Sequence, residues 1–281
     1  MKLSEITQDS YQLFASHASM MSVAINQALN GVKIWRGSRS GITTPYIRDS
    51  GKFNRSAANT ANYVNTLVSN LPNWTNYPPR ENSTIASFDK GRARQYAVDY
   101  TNVRTEREPF LVLPFGNPII GICPSSDFFT GFRSSSKVGV PEINTYIESI
   151  NFNYGKLLGK SGKDLFLNSN SGKELIKQLA SMDMTRLSNE KKETLFKLVT
   201  GTYYSKDIPD IFKKLITYPN VLSFIQDLLD PIANEFQAVK LSDITPDMLN
   251  YNEVWMSSKV MFITASQFEK YLDKFQSQLK V

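Results

Sequence analysis

Apolar residues recur at near-helical spacing across residues 9–29, at Phe14, Met21, Ile25 and Leu29, and Gly31 follows as a stop. The pattern predicts a helix that leads into a strand through "VKIWRGS", broken at Gly37. Residues 37–80 are rich in Ser, Thr, Asn, Gly and Pro, and only "AANTANYVNTLVSNL" shows a helical face, which predicts loop, short helix, loop. The stretch "FLVLPFGNPIIGIC", residues 110–123, gives two apolar runs about Gly116, Asn117 and Pro118 and predicts strands around a turn.

The pattern changes after residue 133. Short amphipathic segments separated by Gly, Asn, Ser and Pro, such as "GKELIKQLASM" and "NVLSFIQDLLDPIANEF", predict a helical lobe over residues 135–235. From "FQAVKL" the strand pattern returns, and "NEVWMSSKVMFIT" reads as two strands about a turn at 257–259. A last helix is expected where Ser266 and Glu269 have capping-box spacing and Phe268, Leu272, Phe275 and Leu279 share one face. The expected fold class is α+β, with one discontinuous domain made of residues 1–134 and 236–281 and an inserted helical lobe at 135–235.

Composition narrows the chemistry. The chain has 281 residues, 41% of them hydrophobic and 21% charged, with 13 Tyr and 17 Phe, which places it among folded globular proteins. A lone cysteine, Cys123, cannot form an intramolecular disulfide or a thiolate metal site, and it suits a reducing compartment. A lone histidine, His17, lies in a predicted helix, so histidine triads and histidine metal sites are poor expectations. The net charge of +6 is compatible with an anionic ligand or nucleic acid but is weaker than a dedicated DNA-binding tail. The opening "MKLSEITQDSYQLF" does not read as a signal peptide, and no apolar run approaches the roughly 18 residues that span a bilayer. A cytoplasmic protein with no membrane partner is therefore expected. "GKLLGKS" has only three residues between its glycines, one short of a phosphate loop, and three sequons at Asn54, Asn73 and Asn82 add little.

Three separated segments carry the remaining chemistry. "IWRGS" ends a strand with Arg36 and Gly37; "NSTIASFDKGRARQYA" leads from small hydroxyl residues to a helix with Ala93 and Tyr96; "YNEVWMSSKVMFIT" opens with Tyr251 and Glu253. Singly, each has an ordinary reading: a strand-end arginine, a serine capping a turn, a strand-edge carboxylate. Together they resemble the arginine-serine-glutamate class of NAD-dependent mono-ADP-ribosyltransferases, and are most similar to bacteriophage-encoded members. The resemblance covers residues 31–100 and 245–265.

That resemblance implies an ADP-ribosyltransferase-like split β-sheet core, NAD as substrate, no metal, and transfer of ADP-ribose to a protein or nucleic acid. Cleavage of the nicotinamide–ribose bond develops positive charge on the ribose, so Glu253 would stabilise the transition state, and Arg36 would grip the pyrophosphate. Gly37 would admit backbone groups to the nicotinamide amide, Ser83 or Ser87 would orient Glu253, and Phe88 or Tyr96 would stack on the nicotinamide. Arginine-modifying members carry Glu-x-Glu, whereas this chain has Tyr251, Asn252 and Glu253, so weak modification of arginine is expected. A phage-encoded member would act in the host-cell cytoplasm. The alternative is a catalytically inactive virion or host-interaction protein that keeps the fold.

Overall fold

The structure, a computed structural model, describes residues 3–37, 43–52, 62–95, 108–132, 150, 153, 172–201, 213–250 and 252–279. Tyr96, Tyr251, Asn54 and the "GKLLGKS" stretch lie outside the described residues. The chain divides into two compact units: unit 1 is Met1–Arg55, Asn82–Ser126 and Ala238–Val281, and unit 2 is Ser56–Glu81 and Asp127–Gln237. This division assigns residues 56–81 to the second unit, whereas the sequence pattern places them with the first domain.

Unit 1 is built on an antiparallel sheet. Its strands are β1 (Trp35–Arg36), β2 (Tyr46–Asp49), β3 (Thr84–Ser87), β4 (Phe110–Pro114), β5 (Ile119–Ile122), β6 (Gln237–Lys240), β7 (Glu253–Met256) and β8 (Lys259–Thr264). They are ordered β2-β8-β4-β1-β3-β7-β5-β6. The central strands β4, β7 and β8 are nearly continuous apolar runs because both of their faces are covered.

The sheet is not flat. β7 and β8 stand four places apart in the order, about 19 Å in a flat sheet, yet only Ser257 and Ser258 separate them, a reach of about 10 Å. It bends back on itself, and a hydrogen bond joins Ser50, just past the edge strand β2, to Thr84 on β3. The narrow joint is β1, two residues long, between β2-β8-β4 on one side and β3-β7-β5-β6 on the other.

Helices α1 (Leu3–His17) and α2 (Ser22–Leu29) precede the sheet, α4 (Lys90–Gln95) follows β3, and α8 (Ala265–Leu279) follows β8. Phe14 of α1 meets Phe268 and Phe275 of α8 edge-on, and Tyr11 meets Tyr271 at 5.6 Å. Buried Gln27 of α2 donates from Nε2 to the carbonyls of Leu241 and Ile244, at 2.6 and 3.0 Å, fixing the segment after β6.

Several expected details are corrected. The predicted single helix over 9–29 is two helices joined by a 3-10 turn at Ala18–Met21; Gly31, at φ +91°, does end the second. The paired runs in "FLVLPFGNPIIGIC" are strands but not partners: β4 pairs with β1 and β8, and β5 with β7. Likewise β7 and β8 do not form a hairpin, because the two-residue link turns the chain from one half of the bent sheet to the other. β2 lies in a stretch that reads as loop, since "YIRD" has too few apolar residues to announce an edge strand. The final helix is capped two residues earlier than expected: Thr264 Oγ1 accepts from Gln267 N–H, 3.3 Å, and Gln267 Oε1 accepts from Thr264 N–H, 3.3 Å, a reciprocal box where strand passes into helix.

Unit 2 is helical among the described residues, with α3 (Asn62–Asn70), α5 (Gly172–Ser181), α6 (Asn189–Gly201) and α7 (Val221–Leu228). Asn220 caps α7 through Oδ1, which accepts from Ser223 N–H at 2.8 Å. Trp74 lies among Tyr77, Phe128, Phe132 and Phe236, with Nε1 donating to the Leu229 carbonyl at 2.8 Å.

Candidate active site at the centre of the sheet

Strands β1, β3 and β7 are neighbours, so the sheet collects all three sequence segments at one place. Trp35 is directly across from Ser87, and Ser87 directly across from Glu253. Phe88 N–H donates to the Asn252 carbonyl, 3.2 Å, which makes Ser87 and Glu253 the adjacent non-hydrogen-bonded pair, the class in which side chains stand closest. Ser83 precedes β3 by one residue and lies four residues from Ser87, about 13 Å along an extended chain. Of the two serines, Ser87 is the one beside Glu253.

Ser87 does not spend its hydroxyl on the carboxylate. Its Oγ donates to the Asn252 carbonyl at 3.2 Å and accepts from Asp89 N–H at 3.0 Å, so it acts on the peptide just before Glu253 and on the turn into α4. Asp89 in turn accepts from Arg92 N–H and caps that helix.

The register places Trp35, rather than Arg36, directly across from Ser87, and Arg36 follows one residue along β1, close enough to Glu253 for their charges to interact. Half-buried Arg36 donates from Nη1 to the Ile85 carbonyl of β3. Burial lowers its pKa, the charge of Arg48 acts the same way, and Tyr46 and Glu253 push back. An arginine guanidinium stays protonated in folded proteins, so the group keeps its charge. Burial raises the Tyr46 hydroxyl pKa, opposed by the charges of Arg36 and Arg48.

On the Trp35 side, Lys90 Nζ lies 4.8 Å from the indole centroid and 3.7 Å from Glu108 Oε1. Gly37 is half-buried just past β1. Phe88, expected as a stacking ring, is 8% exposed and packs in the core of unit 1. Sequence reasoning missed Asn252, which is buried, accepts at its carbonyl from Ser87 Oγ and donates from Nδ2 to the Cys123 carbonyl. The sequence signal was present: a polar residue sits directly before an apolar strand with no turn to explain it. His17 is away from this site, with Nδ1 2.9 Å from the Leu13 carbonyl and its ring against Phe115.

Among the described residues no group of three or more His, Cys, Asp or Glu side chains is placed to hold a metal ion, and no helix is long and apolar enough to cross a membrane. Chemically, the arrangement offers a half-buried carboxylate next to a hydroxyl, a nearby guanidinium and an indole, on strands held rigidly by the sheet. Compared with protein-family models, curated proteins and solved structures, the chain matches none.

Proposed function

We propose that this chain is a mono-ADP-ribosyltransferase that cleaves NAD between nicotinamide and ribose and passes ADP-ribose to a macromolecular acceptor. One observation carries the reading: the row Trp35–Ser87–Glu253, with Arg36 next to it, unites the three segments whose residue types suit that chemistry. In the reaction the C–N bond to nicotinamide breaks with its electron pair leaving on the ring nitrogen. The ribose carbon becomes cationic and then bonds to the acceptor nucleophile, whose proton is lost to a base or to solvent. The Glu253 carboxylate would stabilise the cationic ribose and accept a hydrogen bond from a ribose hydroxyl. Arg36 would contribute positive charge to a phosphate oxygen; of its five donors, one goes to Ile85.

The core proposed for this function is a split-sheet ADP-ribosyltransferase fold, which the bend at β1 supports. The test incubates the full chain with adenylate-labelled NAD and a mixture of proteins and nucleic acids. Nicotinamide release together with label on one acceptor class is expected. Intact NAD and unlabelled acceptors would contradict the reading and favour an inactive scaffold that contacts a host partner.

A further inference from the structure

The ladder between β5 and β7 changes register one residue before the candidate carboxylate. Gly121 pairs with Trp255 and Ile122 with Val254, so regular continuation would pair Cys123 with Glu253, each donating its N–H to the other's carbonyl. Half of that exchange is present: Cys123 N–H donates to the Glu253 carbonyl at 2.9 Å. The other half is displaced, because Glu253 N–H donates to the Ser125 carbonyl, also at 2.9 Å. Pro124 lies between the two contacts on β5's continuation and has no N–H of its own to give to a ladder.

A bulge of this kind frees one carbonyl, and a buried carbonyl needs a donor. The Asn252 side chain supplies it, donating from Nδ2 to the Cys123 carbonyl. The Asn252 backbone carbonyl meanwhile accepts from Phe88 N–H and from Ser87 Oγ, each at 3.2 Å. One residue, 8% exposed, therefore ties the ends of β3, β5 and β7 together immediately before Glu253.

We infer that Asn252 is the positioning residue of Glu253: by satisfying the Cys123 carbonyl it holds the displaced register that sets where the Glu253 carboxylate is presented. A change at the link would then act on the reacting carboxylate and leave substrate binding nearly intact. The catalytic part of this inference rests on the NAD reading above, and its test separates the two.

The informative substitution is Asn252→Asp, which keeps the shape but at neutral pH sets an acceptor against the Cys123 carbonyl. Hydrogen exchange of the full chain should show protection of the Glu253 N–H falling by about tenfold or more at pH 7, while the Val112 N–H in β4 is unchanged. Lowering the pH protonates the introduced carboxylate, which regains an O–H donor, so protection should recover as pH falls through its titration; the wild type shows no such recovery. In NAD turnover, kcat should fall about tenfold or more with KM changed less than about threefold. Should Asn252→Asp fail to fold, Pro124→Ala, which loosens the bulge without burying a charge, should lower the same protection selectively. Unchanged protection at Glu253, or a loss spread evenly over the sheet, would overturn the inference. A wild type inert toward NAD would overturn the function, and the exchange measurement would still decide the positioning. An active wild type matched in kcat by Asn252→Asp would overturn the positioning and leave the function standing.

Discussion

In unit 2 the buried polar groups serve the surrounding packing. Arg80, 3% exposed, donates from Nε to Asn65 Oδ1 at 2.9 Å and lays its guanidinium 3.8 Å from the Phe128 centroid; Trp74 gives its N–H to a backbone carbonyl; Tyr77 gives its hydroxyl to the Phe236 carbonyl at 2.8 Å. In unit 1 the buried or half-buried polar side chains Arg36, Ser87 and Asn252 instead make their contacts at the ends of strands and around one carboxylate. Both sets obey the rule that buried polar groups find partners. The difference is what the partners are: a ring face, a side-chain amide and backbone carbonyls of the aromatic and helical packing in unit 2, and in unit 1, for Ser87 and Asn252, the peptide groups beside Glu253. Polarity that would be dispensable in a sheet core, placed next to a carboxylate, supports the site proposed at Glu253.

The comparison can be broken first at Trp74. If the aromatic cluster is the core of unit 2, Trp74→Ala should cost about 3–5 kcal/mol in denaturant unfolding, because it removes four ring contacts and a buried hydrogen bond at once. A cost under about 1 kcal/mol would show that the cluster is peripheral. In unit 1 the corresponding structural test is Gly121→Ala. A methyl there would overlap the buried indole of Trp255, its cross-strand partner two residues from Glu253. The expected loss is about 1–3 kcal/mol of stability, read by the same unfolding experiment.

Much of this was written in the order of apolar residues. The runs that became β4, β5, β7 and β8 stood out because strands covered on both faces leave no room for polar residues. Partner choice was not legible: a two-residue link between apolar runs reads as a hairpin, and only the bend of the sheet sends β7 and β8 to different neighbours. The family resemblance points to Arg36, Glu253 and either Ser83 or Ser87, and the sheet brings the strands of Arg36, Ser87 and Glu253 together. What local sequence cannot carry is register, which put Trp35 in the row with Ser87, turned the Ser87 hydroxyl toward a backbone carbonyl and gave Asn252 its place.

The smallest expected effect sharpens the contrast on the exposed side of unit 2. Hydrogen bonds from the Thr185 hydroxyl and N–H lower the pKa of Asp183 below its ordinary 3.8, helped by Arg186 at 3.0 Å. A depressed carboxyl contributes stability that is present above its unfolded pKa and lost as pH falls through the folded one. Asp183→Asn should therefore be slightly less stable than the wild type near neutral pH and match it once the carboxyl is protonated, flattening the acid limb, as followed by thermal melts from about pH 2 to about pH 7. A steeper acid limb in the variant would contradict the assignment.

The central claim concerns Glu253, and the direct measurement compares wild type and Glu253→Gln for nicotinamide release from NAD and for label transfer to acceptor. Glutamine keeps the shape at the head of β7 and removes the charge that would face the cationic ribose, so both rates should fall by roughly 10² or more with the unfolding midpoint little changed. Equal turnover by the two proteins would contradict the account.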